Sequence, residues 1–391
     1  MLLPCPQPPD WSIDWASLDQ LQWLQDMKGC PQNPDRHAEG DVWTHVHLVV
    51  EAMVALPAWR ELQETERRIL FLSALLHDVA KPACTRIEAD GRVSARGHSW
   101  RGAVRAREIL WRLGVPFAER EQVCAIVRHH LVPFFLVDSA NPRRLIIEVS
   151  QIAKCSLLSL MAEADVRGRI CPDPQRMLDQ IAKFREQAKT VGCLDSAYLF
   201  ASDHERYLFF REPHRTWNEA EPESTGSRVV LLSGLPGAGK DYWLETNLSD
   251  WPRVNLDDIR QDLHVSGSDL QNIVLNRARE IALEHLRNRR DFIWNGPCLS
   301  RNIRNDCLRL FHTHDARTRI VYVEVPPEQL FYQNQQRRRR VPEKIIERML
   351  DRWEVPDRTE AHEVEYVVSN GILDETSHES VAGEGPTNVA T

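Results

Sequence analysis

Residues 228–241 read RVVLLSGLPGAGKD: an aliphatic, β-branched run passes straight into a glycine-rich loop that ends on a lysine. The pattern is G-x-x-x-x-G-K, made of Gly234, Leu235, Pro236, Gly237, Ala238, Gly239 and Lys240, with Asp241 next in the chain. Glycines let successive backbone N–H groups curl around a phosphate chain. The helix that follows turns its positive end toward that chain, and the lysine reaches the outer phosphates. A plain strand-to-helix turn would account for the glycines but not for a lysine in this register. The loop predicts a nucleotide site.

Beyond the loop, the pattern predicts strands near 228–233, 252–256, 291–295 and 317–325. Helices are expected near 239–248, 269–289, 300–313 and 342–353. Such alternation implies an α/β domain with a parallel sheet. Before it, from about 37 to 210, the apolar period is helical throughout, with Gly114 and Gly192 just past the ends of two helices. The expected organisation is an N-terminal arm (1–36), an all-α domain (37–212), a polar linker (213–227), the α/β domain (228–369) and a disordered tail (370–391). Length alone favours two domains.

No apolar run reaches the ~18 residues of a membrane span, and the N-terminus lacks a basic-then-apolar secretory pattern. Nine scattered cysteines without a C-x-x-C pair argue against a disulfide framework and a zinc knuckle. A cytoplasmic protein with no membrane association is expected. The net charge of −8 speaks against indiscriminate nucleic-acid binding through bulk charge. Residues 226–369 are locally balanced, with 22 basic and 22 acidic residues. All but two of those basic residues are arginines, which suit planar recognition of phosphates.

The helical half carries a second signal. His45, the His77-Asp78 doublet, His98, the His129-His130 pair and Asp165 each fall at or near the end of a helical, otherwise apolar segment. Imidazoles and carboxylates together suit borderline divalent metals, and helices converging on one point can build a mono- or dinuclear centre. Two metals there could activate a water and clamp the leaving oxygen of a phosphate ester. His47, two residues from His45, points elsewhere on a helix and is not expected to be a ligand.

This ordered pattern, with Lys81 after the His-Asp doublet and Gly168-Arg169 after the last aspartate, resembles the HD superfamily of metal-dependent phosphohydrolases. The run HAEGDVWTHVHLVVEAM also resembles the HD domain attached to bacterial CCA-adding tRNA nucleotidyltransferases. The resemblance implies His45, His77, Asp78 and Asp165 as the core ligands, and a second metal at His98 and His130. Spacing leaves His129 and His130 interchangeable. The resemblance further implies Lys81 and Arg169 on the substrate phosphate, and a site of imidazoles and carboxylates is expected to favour transition-metal ions such as manganese, cobalt or nickel.

In the α/β half, the second strand runs into VNLDDIR. A carboxylate at the carboxyl end of a parallel strand, beside the phosphate loop, can take the proton of an attacking hydroxyl, which points to Asp257. Arg260 can engage an acceptor phosphate, while Asp258 is read as the N-cap of a short helix. Four arginines, 337–340, stand where a lid would reach the transferring phosphate. These elements resemble the 5′-hydroxyl polynucleotide kinase module of phage and bacterial end-healing enzymes. That resemblance implies Lys240 as phosphate clamp, Asp257 as general base, Arg260 on the acceptor phosphate, Arg337 as lid arginine, and ATP or another NTP with magnesium. Two departures stand out: Asp241 replaces the usual Ser or Thr, and WNGPCLSRNIR lacks the Asp-Thr-Asn or Ala-Thr-Asn triplet. Asp241 either reaches magnesium through its water shell or is a helix N-terminal residue with no ligand role.

The two halves together resemble the bacterial HD-Pnk group of bifunctional end-healing enzymes. Membership would imply removal of a 2′,3′-cyclic, 2′- or 3′-phosphate and phosphorylation of a 5′-hydroxyl. RNA or DNA ends would be the substrates, and a separate ligase would act downstream. The rival readings are a nucleotide phosphohydrolase fused to a small-molecule kinase, and a nucleotide-sensing regulator.

Overall fold

The computed structural model describes residues 3–369 except 217–221, 224, 265–270, 297 and 338. The expected tail at 370–391 and much of the expected linker lie outside the described residues. Among the described residues, no single helix is long and apolar enough to cross a membrane.

Five helices of the N-terminal half position its site: α1 (Val42–Ala55), α2 (Glu64–Leu76), α3 (His98–Arg112), α4 (Phe117–His129) and α5 (Cys155–Arg167). α1 begins where the Asp41 carboxylate accepts the Thr44 amide at 2.8 Å, a side-chain N-cap. Its buried residues, Val42, His45, Val46, Val49, Val50, Met53 and Val54, recur at helical spacing, so a histidine sits inside an apolar stripe. In α2, every residue from Ile69 to Leu76 is buried. A helix whose last two turns are buried on all sides delivers its C-terminal end, the His77-Asp78 doublet, into the interior. Leu18, Trp23, Leu24 and Met27, from the expected arm, belong to the same core.

The stretch after Cys84, read as helical, instead contains a short antiparallel hairpin pairing Arg86–Ile87 with Val93–Ser94. Asp90-Gly91 forms its turn, with Gly91 at φ +81°.

The C-terminal half holds five parallel strands: β1 (Arg228–Ser233), β2 (Arg253–Asn255), β3 (Phe292–Asn295), β4 (Arg317–Glu324) and β5 (Glu363–Val368). Their order is β2-β3-β1-β4-β5. β1 therefore lies between β3 and β4, and its carboxyl end opens between two neighbouring strand ends, the usual ligand crevice of an open parallel sheet. The intervening helices are α6 (Lys240–Asn247), α7 (Leu256–Asp262), α8 (Gln271–Arg287), α9 (Arg301–His312), α10 (Pro327–Gln336) and α11 (Glu343–Leu350). The pattern reading did not foresee β5 or α10. Glu363 and Glu365 give β5 the look of a charged loop, yet they pair with Arg317 and Arg319 on β4. α10 starts on two prolines and ends on glutamines, so its apolar face is thin.

The halves share a buried boundary. Trp111 of α3 lies in the core formed by β1, β4 and α11, and its indole N–H donates to the Val325 carbonyl at 3.1 Å. Arg120 of α4 forms two parallel 2.7 Å bonds with the buried Glu324 carboxylate. Arg107 donates to the Trp353 carbonyl at 2.8 Å.

Candidate active sites

In the helical half, side chains from five segments meet at one buried point. His45 Nε2 and His77 Nε2 are 3.3 Å apart. Asp165 Oδ1 lies 3.2 Å from His45 Nε2, and Asp78 Oδ2 lies 3.2 Å from His77 Nε2. The other oxygen of Asp78 faces the opposite way, 3.4 Å from His98 Nε2, and His98 Nε2 is 3.4 Å from His130 Nε2. Asp78 thus belongs to two ligand groups, His45-His77-Asp78 and Asp78-His98-His130.

The proton positions follow from the partners. His77, His98 and His130 direct Nδ1 at the carbonyls of Ala74, Ala95 and Val127, at 2.9, 2.7 and 2.8 Å. A carbonyl only accepts, so each Nδ1 carries a proton and each Nε2 is turned to the cluster, where it can ligate a metal. Their Nε2 atoms face one another across the cluster at 3.3–3.4 Å, a spacing that suits a shared cation. The carboxylates suit one as well. Burial alone would raise Asp78, but Lys81 and then His77 hold it well below the usual carboxylate range. Burial is likewise overcome at Asp165 by Arg169 and His45. Burial and the neighbouring His77 push His130 down to about 3, which keeps its imidazole neutral. Imidazole nitrogens and ionised carboxylates converging around a shared aspartate fit two divalent cations.

Of the residues expected here, His129 is the one not brought to the point. Burial and Arg128 lower it to about 4, and its other charged neighbours are Asp357 and Arg301 of the opposite half. His47 turns to Asp19, 3.2 Å away, and stacks on Trp15. Lys81 and Arg169 line the cleft above the cluster but are already engaged. Lys81 donates to Asp78 and Gln32, both at 2.6 Å, and Arg169 forks onto Asp165 at 2.7 and 2.9 Å. Gly168 allows α5 to meet α1: a Cβ there would lie 2.5 Å from the Val49 backbone nitrogen.

Glu39 escaped the sequence reading. Its Oε1 is 2.8 Å from His37 Nδ1 and 2.8 Å from His45 Nδ1, the latter off the ideal hydrogen-bond direction, while Oε2 accepts from the Ile170 amide at 2.9 Å. Burial would raise this carboxyl, and the hydrogen bonds from His37 and His45 bring it far down instead. A carboxylate behind a ligand histidine fixes its ring and its tautomer. The signal was the spacing His37-x-Glu39 ahead of Asp41, visible but without a period to single it out.

In the sheet half, Gly234 has φ +144°, and a Cβ on it would stand 2.3 Å from the Val323 carbonyl oxygen, so only glycine fits the loop against β4. The Lys240 ammonium donates to the carbonyls of Gly234 and Leu235 at 2.8 and 2.9 Å. Burial lowers Lys240 to about 8. Asp241, Arg337 and Asp257 are its charged neighbours, so the residues expected to surround the phosphates do lie about the lysine. Asp241 accepts from the Asn295 amide at the end of β3, 3.1 Å away. Asp257 and Arg260 pair with each other at 2.6 Å. Asp258 is not the N-cap: α7 starts a turn earlier than that reading requires, and Asn255 caps it by accepting the Asp257 amide at 3.0 Å. Of the arginine run, Arg339 bonds Gln261 and Arg340 pairs with Glu343, while Arg338 lies outside the described residues.

Comparison with known proteins agrees with this division. Residues 43–157 match the family described as HD domain, and residues 229–356 match the one described as AAA domain. Relatives include a multifunctional CCA protein of Halorhodospira halophila, 36% identical over 26% of this chain and 22% of its own length. An A-adding tRNA nucleotidyltransferase of Deinococcus radiodurans is 37% identical over 36% of this chain and 30% of its own. A bifunctional uridylyltransferase/uridylyl-removing enzyme of Bradyrhizobium sp. is 32% identical over 30% and 12%. The chain therefore spans under a third of the length of each of these relatives. Among solved structures, a sugar kinase from Janibacter sp. aligns at 14% identity and a TM-score of 0.28, over 36% of this chain and 85% of its own. A gluconokinase from Sinorhizobium meliloti aligns at 16% and 0.27, over 37% and 85%. Both scores are too low to bear on substrate. The chain thus carries an HD-domain region, whose His-Asp cluster suits divalent metals, followed by a P-loop domain, whose loop suits a nucleotide.

Proposed function

We propose that this enzyme heals broken nucleic-acid ends. Its HD domain would remove a 2′,3′-cyclic, 2′- or 3′-phosphate, and its kinase domain would move the γ-phosphate of an NTP to a 5′-hydroxyl. The ends would then pass to a ligase supplied by another protein. The observation that carries the reading is the pairing, in one chain, of a buried His-Asp cluster built for two cations with a phosphate loop whose lysine has Asp257 and Arg337 beside it. Phosphate removal and phosphate addition on one body suit a substrate that needs both.

In the HD site, His45, His77, Asp78 and Asp165 would hold one cation, and Asp78, His98 and His130 a second. When bound, the cations supply Lewis-acid chemistry to the phosphate ester. Lys81 and Arg169 sit at the cleft floor, where an arriving phosphate can exchange for the carboxylates they now hold. In the kinase site, Lys240 would clamp the outer phosphates and Asp257 would take the proton of the 5′-hydroxyl. Arg260 would leave Asp257 for the acceptor phosphate, freeing the base as substrate arrives.

The test is one incubation of the purified protein with a 5′-hydroxyl, 3′-phosphate oligonucleotide, radiolabelled ATP and magnesium or manganese. Label at the 5′ end and loss of the 3′-phosphate are expected together. Label transferred only to nucleosides or sugars would sink the reading in favour of a small-molecule kinase.

A further inference from the structure

The HD cluster lies at the bottom of a cleft of about 1100 Å³, larger than the ~300–1000 Å³ typical of small-ligand pockets. Its mouth carries three arginines from separate segments: Arg36 before α1, Arg96 between the hairpin and α3, and Arg176 on the helix Pro174–Val191. All three are exposed, and among the described residues none of their guanidinium groups has a hydrogen bond or ion pair. Arg92, by contrast, is paired to Asp90. Acidic residues of the mouth are partly spent as well: Glu88 accepts from Ser94, and Asp173 caps its helix on the Arg176 amide. One wall is apolar and open. Phe135 is 49% exposed and Val137 44%, both facing the same cleft.

Unpaired guanidinium groups fit phosphodiester oxygens, and an exposed phenyl face lining the same cleft fits a base. We propose that the mouth is a subsite for the nucleotide upstream of the terminal one. Arg36, Arg96 and Arg176 hold the internucleotide phosphate, and Phe135 stacks its base. This rests on the end-healing reading and sharpens it: the HD reaction is selective for an end that belongs to a chain, over a free mononucleotide.

The experiment uses the full protein loaded with manganese and three substrates: a tetranucleotide with a 3′-phosphate, a nucleoside 3′-monophosphate and p-nitrophenyl phosphate. The tetranucleotide is expected to have a KM at least about ten-fold below that of the monophosphate. Phe135→Ala should raise the tetranucleotide KM by roughly 5- to 100-fold, the range of one lost base stack. The Arg36→Gln/Arg96→Gln/Arg176→Gln variant should do likewise, with kcat on p-nitrophenyl phosphate within about two-fold of the parent. Fluorescence anisotropy of a labelled tetranucleotide on the metal-free protein should show the same loss of affinity. Equal KM values for tetranucleotide and monophosphate, or variants that impair all three substrates alike, would overturn the subsite and leave end healing standing. Turnover of p-nitrophenyl phosphate with neither nucleotide substrate hydrolysed would instead overturn end healing itself.

Discussion

Lys240 holds the least secure charge in the phosphate-loop site. Burial brings its ammonium down to about 8, so the phosphate clamp is charged below that pH and neutral above it. ATP affinity is therefore expected to fall by about ten-fold between pH 7 and pH 9, steepest past 8, with Lys240→Arg flattening the profile. Isothermal titration at three pH values checks this, and a flat parent profile would refute it. The ligand sets of the two sites share no residue, which gives a cleaner test. Asp78→Ala belongs to both cation groups and should abolish phosphate removal and drop bound metal below one per chain, while kinase activity stays within a few-fold. Lys240→Ala and Asp257→Ala should each cut the kinase by about 10²–10⁴ and spare phosphate removal. Should Asp258→Ala be the crippling change instead, the base is misassigned.

At the scale of elements, the approach of α5 to α1 depends on Gly168. An alanine Cβ at 2.5 Å from backbone cannot be relieved by a side-chain rotation, so the helices must part. Gly168→Ala should cost about 1–3 kcal/mol and weaken metal binding, because Asp165 sits one turn back on α5 and would leave His45. Thermal melting and a metal titration read the two effects. Such packing decides what a sequence displays. The phosphate loop, β1 and the long helices were legible because their signals are local: glycines before a lysine, a β-branched run, a period of 3.6. The His-Asp ligands were legible by their order. Glu39 and β5 were not, since each is defined by a partner far along the chain: Glu39 by Ile170, and Glu363 by Arg317. His130 was separable from His129 only once α4 had a direction, set by Val127 behind one ring and the Arg301-Asp357 side before the other.

For the whole molecule, the salient pair is Arg120 with Glu324, both buried, one from each half. Removing one partner strands the other charge, so Arg120→Ala should cost about 3–5 kcal/mol of stability, while Arg120→Met with Glu324→Met should recover most of it. Urea unfolding of both variants measures this, and a double mutant no more stable than Arg120→Ala would contradict it. Two helices make that boundary matter to chemistry. α3 begins at His98 and ends near Trp111, which is seated under β4, and α4 runs from the Arg120 contact to His130. Both are struts with one foot in the sheet and the other at the cation cluster. The halves consequently cannot be traded as cassettes. A fragment ending between them would bare the Trp111 indole and the Arg120 guanidinium and take the sheet-side footing from the two helices that present His98 and His130.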